Sequence, residues 1–84
     1  MNPEALEEMV KEEIAKGNKP FYLNSVAGST VMGSFDDLNA LADICEKYGM
    51  WFNIDACWGG FLAFADKYGD KGGLFDGSER AQSI

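Results

Sequence analysis

Residues 51–60 read Trp51-Phe52-Asn53-Ile54-Asp55-Ala56-Cys57-Trp58-Gly59-Gly60. A β-rich apolar run ends on an aspartate, and a small residue, a cysteine, an aromatic and two glycines follow. In an α/β protein this pattern puts a carboxylate at the carboxyl end of a strand, where ligands bind. On spacing alone the same residues also describe a strand closing in a turn, with Asp55 as a solvated turn residue. The neighbouring segments bear on that choice.

Working outward, Phe21-Tyr22-Leu23-Asn24-Ser25-Val26 is a second β-rich run, bounded by Pro20 and Gly28, and predicts a strand over 21–26. Leu38, Leu41, Ile44, Cys45 and Tyr48 fall at helical spacing, with Lys47 in the last turn and Gly49 just beyond, so a helix is expected over 37–48. Ser34-Phe35-Asp36-Asp37 reads as its start, with an acidic first turn matched to the helix dipole. Met50–Asp55 is the following strand. Strand, helix and strand make a βαβ unit with parallel strands and a right-handed crossover. Both carboxyl ends then point the same way, so Ala27–Thr30 and Asp55–Gly60 are expected on one rim of the sheet.

The flanks are simpler. Asn2 is a good N-cap and Pro3 suits the first helical position. Leu6, Val10 and Ile14, with Ala5 and Met9 beside them, form an apolar stripe on a helix over 3–16 that ends at Gly17. Phe61–Ala65 predicts a short helix over the sheet, and Lys67–Gly77 an exposed Gly-rich loop. Ser78–Ile84 begins a new ordered element heading into another strand.

Composition narrows the function. The 84 residues form at most one small domain, and a chain of that size buries only about 60–65% of its unfolded surface. Seven basic against fourteen acidic residues give a net charge of −7, which argues against a nucleic-acid surface. No run approaches a membrane span, and the N-terminus does not read as a secretory signal. A cytoplasmic location is the expectation. Histidine is absent, so a histidine base, a His-based triad or a His-liganded zinc cannot be built from these residues. Cys45 and Cys57 lack metal-type spacing and read most simply as two buried free thiols, with a disulfide between them the alternative.

Three segments combine: Ala27-Gly28-Ser29-Thr30 with Gly33-Ser34-Phe35-Asp36 behind it, Asp55-Ala56-Cys57-Trp58-Gly59-Gly60, and Gly77-Ser78-Glu79-Arg80-Ala81-Gln82-Ser83-Ile84. With Cys45-Glu46-Lys47-Tyr48 and Trp51, their order and spacing resemble the pyridoxal-phosphate-dependent group II amino-acid decarboxylases, the group that contains glutamate and cysteine-sulfinate decarboxylases. The resemblance covers nearly the whole chain. It implies an α/β fold, with residues 1–84 a partial large domain of the fold-type-I pyridoxal-phosphate enzymes, incomplete at both ends. The unit is a βαβ of a mostly parallel sheet preceded by a helix.

The resemblance also implies a site. Asp55 matches the family aspartate that contacts the cofactor's pyridine nitrogen, where a carboxylate keeps the ring protonated. Cys57 stands where the family packs a small alanine against the ring, and a packing thiol is favoured there over a reactive one. Thr30 matches a threonine near the ring and its aspartate, although a threonine that only satisfies the turn backbone fits as well. Asn53, Phe61 and Gln82 depart from the family's usual His, Gly and Asp. The family's Schiff-base lysine lies beyond the Glu79–Ile84 segment, and none of Lys11, Lys16, Lys19, Lys47, Lys67 and Lys71 stands in a comparable context. These residues alone are therefore expected to be inactive.

The implied parent is a homodimeric carboxy-lyase that takes a small amino-acid substrate with an acidic side chain, such as glutamate or cysteine sulfinate. Two rivals remain at this point. One is another fold-type-I enzyme, an aminotransferase or desulfurase-like protein; the other is a small acidic α/β binding module with no cofactor.

Overall fold

The computed structural model describes residues 1–65 and 73–84. The expected loop over Lys67–Gly77 falls mostly on 66–72, outside the described residues, as do Lys67 and Lys71.

Helix α1 spans Pro3–Ala15. The Asn2 side chain accepts from the Glu4 and Ala5 amides, which satisfies two of the donors a helix start leaves open. Gly17 follows at φ +86°, a left-handed residue that glycine adopts without a Cβ clash. The apolar stripe is narrower than expected. Val10 is buried and Leu6 packs against the core, but Met9 and Ile14 are 63% and 47% exposed.

Strand β1 spans Tyr22–Val26 and β2 spans Trp51–Asp55, paired in parallel from Tyr22↔Trp51 to Val26↔Asp55. Helix α2, Leu38–Tyr48, joins them. Its Leu38, Leu41, Ala42 and Cys45 pack with Leu23, Phe52 and Ile54 in one core. Strand side chains alternate between faces. Leu23, Ser25, Phe52 and Ile54 are therefore buried, while Tyr22, Asn24, Trp51 and Asp55 are exposed on the other side. The one buried polar side chain among the described residues is Ser25, which donates to the Asn53 carbonyl.

The start of α2 corrects the sequence expectation. Asp37 is the N-cap and accepts from the Ala40 amide, and the first turn carries no acidic residue. Asp36 lies outside the helix and reaches back to β1. Its carboxylate accepts the Val26 amide at 2.8 Å, and its own amide donates to the Val26 carbonyl at 2.9 Å. Gly49 ends α2 in the left-handed conformation, with its amide on the Cys45 carbonyl.

A short 3-10 segment, Gly59–Phe64, follows β2 as expected, but Phe61 and Phe64 point outward, 81% and 88% exposed. A second 3-10 turn, Ser78–Arg80, precedes a third strand position. Ser83 bridges Asn53 in parallel, on the edge of β2 that faces away from β1.

Candidate cofactor site

The site begins at the parallel strand ends. Ala27 donates its amide to the Asp55 carbonyl at 2.9 Å, carrying the β1–β2 ladder into the loops. The Gly59 amide then donates to the Gly28 carbonyl at 3.1 Å. A Cβ on Gly28 would lie 2.5 Å from the Gly59 Cα, and one on Gly59 would lie 2.5 Å from the Gly28 Cα. Both positions exclude a side chain, and Gly28 also sits at φ +83°. The two loops expected on one rim are thus in backbone contact.

The first loop is also tied to itself. Gly28 and Ser29 both donate amides to the Ser34 carbonyl, and the Ser34 amide donates to Ser29 Oγ. Phe35 packs its ring against Gly28 and meets Phe75 edge-on, with ring centroids 5.5 Å apart.

Asp55 is exposed at the mouth of an open cleft of about 520 Å³ lined by Asn24, Asn53, Asp55, Cys57, Gly60 and Ile84, with Ile54 and Ala56. The Cys57 amide donates to Asp55 Oδ1 at 3.2 Å. That bond, reinforced by the Cys57 side chain, holds the carboxylate below its ordinary range. The Cys57 thiol moves the opposite way. Hydrogen bonding to Asp55 raises it most, then the carboxylate charge, while the Thr30 hydroxyl works against both. At neutral pH the site therefore pairs an ionised carboxylate with a protonated thiol.

The structure brings Asp55 and Cys57 together, with one correction. Cys57 is exposed to the cleft and not buried, whereas Cys45 is buried in the core as expected. Cys57 sits beyond the last strand residue on a loop open to the cleft, so its burial depends on what occupies that cleft. Thr30 is exposed, and its hydroxyl acts to lower the Cys57 thiol's pKa.

Asn53 is the residue sequence reasoning passed over. Its amide donates to Asn24 Oδ1 and its oxygen accepts from Ser83 Oγ, which itself accepts from Trp51 Nε1 at 2.9 Å. A polar row thus crosses three strands beside Asp55. The available signal was spacing: Asn53 lies two residues before Asp55, hence on the same face. A second hollow, about 420 Å³, opens on the α2 side of β2 near Phe75 and Asn39 and contains neither Asp55 nor Cys57.

The donor set fits a cationic ring nitrogen. Asp55 is ionised, faces a cleft, and takes bonds from one neighbouring residue, while an ionised carboxylate offers about four lone-pair sites. The tight Gly28–Gly59 contact keeps side chains out of the junction behind it.

Set against known proteins, the arrangement defines a class. Residues 1–84 match the pyridoxal-dependent decarboxylase conserved domain, and the chain belongs to that family. It is 49% identical over 79 residues to glutamate decarboxylase of Drosophila melanogaster, covering 94% of this chain and 15% of that protein. It is 45% identical to an L-aspartate decarboxylase of Metarhizium robertsii and 40% to cysteine sulfinic acid decarboxylase of Mus musculus, in both cases over all of this chain and 16% of the relative. The crystal structure of mouse CSAD in apo form superposes with a TM-score of 0.88 at 41% identity, over 96% of this chain and 16% of that one. Oryza sativa TDC, solved with PLP and tryptamine, gives a TM-score of 0.88 at 25% identity over the same shares. The fold is that of the fold-type-I pyridoxal-phosphate decarboxylases, and the chain spans about one sixth of the length of the relatives it matches. Family membership sets aside the cofactor-free binding module and the aminotransferase and desulfurase readings.

Proposed function

We propose that residues 1–84 are part of the cofactor-binding large domain of a pyridoxal-phosphate-dependent decarboxylase that releases CO₂ from a small amino acid with an acidic side chain. One observation carries this reading: an ionised carboxylate, Asp55, at the carboxyl end of a parallel strand, facing a cleft, in a chain that matches the family along its whole length. The substrate class rests on the relatives at 40–49% identity, whose names are glutamate, aspartate and cysteine sulfinic acid decarboxylases.

In this reading Asp55 pairs with the cofactor's ring nitrogen and holds a proton on it by opposite charge. When bound, pyridoxal 5'-phosphate supplies the electron sink for the pair left behind as CO₂ departs. Cys57 orients the Asp55 carboxylate through its amide and presents its thiol to the ring space. Thr30 acts on that thiol against the upward shift from Asp55. Gly28 and Gly59 lock the two loops, so the three side chains keep their relative positions.

We read the parent as a cytoplasmic homodimer. Within these 84 residues Val31, Met32, Trp58, Phe61 and Phe64 are exposed, apolar area open to burial by the rest of the parent or by a partner copy. Sedimentation of the full-length protein tests the dimer; a monomer across the micromolar range ends that part.

The function is tested in the full-length protein by Asp55→Ala. Loss of a preorganised charge of this kind lowers decarboxylation by about a hundredfold to a thousandfold. CO₂ release is measured at saturating cofactor, with bound cofactor followed by absorbance. Near-normal turnover in Asp55→Ala with cofactor bound would sink the assignment.

A further inference from the structure

The segment Gly77–Ile84 lies far from Asp55 in sequence, yet it is bonded to both α2 and β2. Arg80 donates from Nε to Glu46 Oε1 at 3.3 Å and from Nη1 to the Asn39 carbonyl and Oδ1, both at 3.2 Å. Its Nη2 donates to Asp43 Oδ1 at 2.7 Å and lies 3.0 Å from Glu46 Oε1. Asn39, Asp43 and Glu46 are spaced four and three residues apart, so they form one stripe along α2. A planar guanidinium can use several such acceptors at once, which an ammonium cannot.

The backbone is seated as closely as the side chain. Gly77 is buried at φ +92°, and a Cβ there would lie 2.8–2.9 Å from Asn39. Immediately after Arg80 the chain joins the sheet. The Gln82 amide donates to the Phe52 carbonyl at 2.9 Å, and Gln82 Oε1 accepts the Phe52 amide at 2.7 Å. The Ile54 amide donates to the Ser83 carbonyl at 3.0 Å, and Ser83 pairs with Asn53. In that register Ile84 falls beside Ile54, one residue short of Asp55.

We propose that Arg80 is a positioning residue: docked on the Asn39–Asp43–Glu46 stripe of α2, it sets the register in which residues 82–84 lie against β2, and with it the point where this third strand meets the rim carrying Asp55. The proposal rests on the reading of Asp55 as the cofactor's partner. Asp43 and Glu46 are 72% and 68% exposed, and ion pairs with exposed partners add little to global stability. The role of Arg80 is therefore placement, and its loss opens the 82–84 segment locally.

The test uses full-length protein with Arg80→Ala, Arg80→Lys and, from the backbone side of the same clamp, Gly77→Ala. Hydrogen exchange of peptides covering 82–84 is read in cofactor-free protein, and pyridoxal 5'-phosphate affinity by absorbance titration. In Arg80→Ala, exchange at 82–84 rises about fivefold or more while exchange in α1 stays unchanged, and cofactor affinity falls about fivefold. Arg80→Lys recovers less than half of either effect, and Gly77→Ala reproduces the local exchange. Unchanged exchange at 82–84 overturns the proposal. So does a rise spread evenly over the chain, or a local rise with cofactor affinity untouched. If the unsubstituted protein takes up no pyridoxal 5'-phosphate, the proposed function fails separately, and the exchange measurement still decides whether Arg80 sets the register.

Discussion

The two faces of the β1–β2 pair use the same ten residues for opposite ends. Toward α2 lie Leu23, Ser25, Phe52 and Ile54, all buried, and the three apolar ones pack with Leu38, Leu41 and Cys45. Away from α2 lie Tyr22, Asn24, Trp51, Asn53 and Asp55, exposed or half-exposed, with a polar row joining Asn24, Asn53 and Ser83. The first face is a finished core. The second is a polar surface whose last residue is an ionised carboxylate at a cleft. Period-two alternation therefore lets one strand hold the fold with even positions and present chemistry with odd ones. A one-residue slip of β2 would exchange the two roles.

The strongest way to break this comparison is to damage the packed face. Phe52 is 1% exposed, and Phe52→Ala removes a buried ring at the centre of the core. The expected loss is about 3–5 kcal/mol of unfolding free energy. Trp51, next in the strand but 50% exposed, is expected to lose under about 1 kcal/mol on truncation to alanine. Urea unfolding of the full-length variants measures both. Equal losses would mean that the outer face is packed as tightly as the inner one, and the contrast would collapse.

A smaller effect sharpens the link between the faces and the rim. Gly59→Ala puts a methyl 2.5 Å from the Gly28 Cα and 2.6 Å from the Ala27 carbonyl oxygen, so backbone must move. Overpacking of this kind costs about 1–3 kcal/mol. Because Gly59 joins the two site loops, cofactor affinity falls along with the thermal midpoint. Gly17→Ala is the control for strain away from the site: its φ of +86° costs some stability, but Gly17 has open space around it and lies far from the rim, so cofactor affinity is unchanged. A Gly59→Ala protein with wild-type cofactor affinity would show that the loops need no locking.

Much of this architecture was legible because its causes are local. Asn2, Gly17 and Gly49 mark helix ends through capping chemistry, and the two α-helices and two strands fall within a residue of their expected spans. The shared rim was legible too, since parallel strands joined by a helix must end on one side. What was not legible depends on residues distant in sequence. Asp36 reads as a first-turn acid until β1 is alongside, when the Val26 amide claims its carboxylate. Nothing local to α2 points to a partner for Asp43 and Glu46, which Arg80 reaches from 34 or more residues away. Asn53 reads as a departure without a role until Asn24 and Ser83 flank it across the sheet. Met9 and Ile14 belong to the α1 stripe by period, but their burial is set by what lies against them.

The two cysteines give the finest test of the same contrast. Cys45 belongs to the packed side, and burial alone raises its thiol. Cys57 belongs to the open side and is raised chiefly by its hydrogen bond to Asp55 and by that carboxylate's charge. Thiolate is the reactive form, so the onset of alkylation moves to higher pH at both sites, for different reasons. The causes separate under Asp55→Asn. Removing the charge lowers the Cys57 thiol toward its ordinary range and leaves Cys45 where it was. In cofactor-free, full-length protein, iodoacetamide labelling followed by peptide mass spectrometry should therefore speed up at Cys57 in the variant at mildly alkaline pH. Cys45 labels only under denaturant in both proteins. The sign on Asp55 itself is the reverse. Its folded pKa is depressed, so whatever stability its Cys57 bonds contribute is present at neutral pH and lost as pH falls through that lowered value. If Asp55→Asn left the Cys57 labelling profile unmoved, the carboxylate and the thiol would be neighbours without coupling. Cys57 would then serve the open face by shape alone.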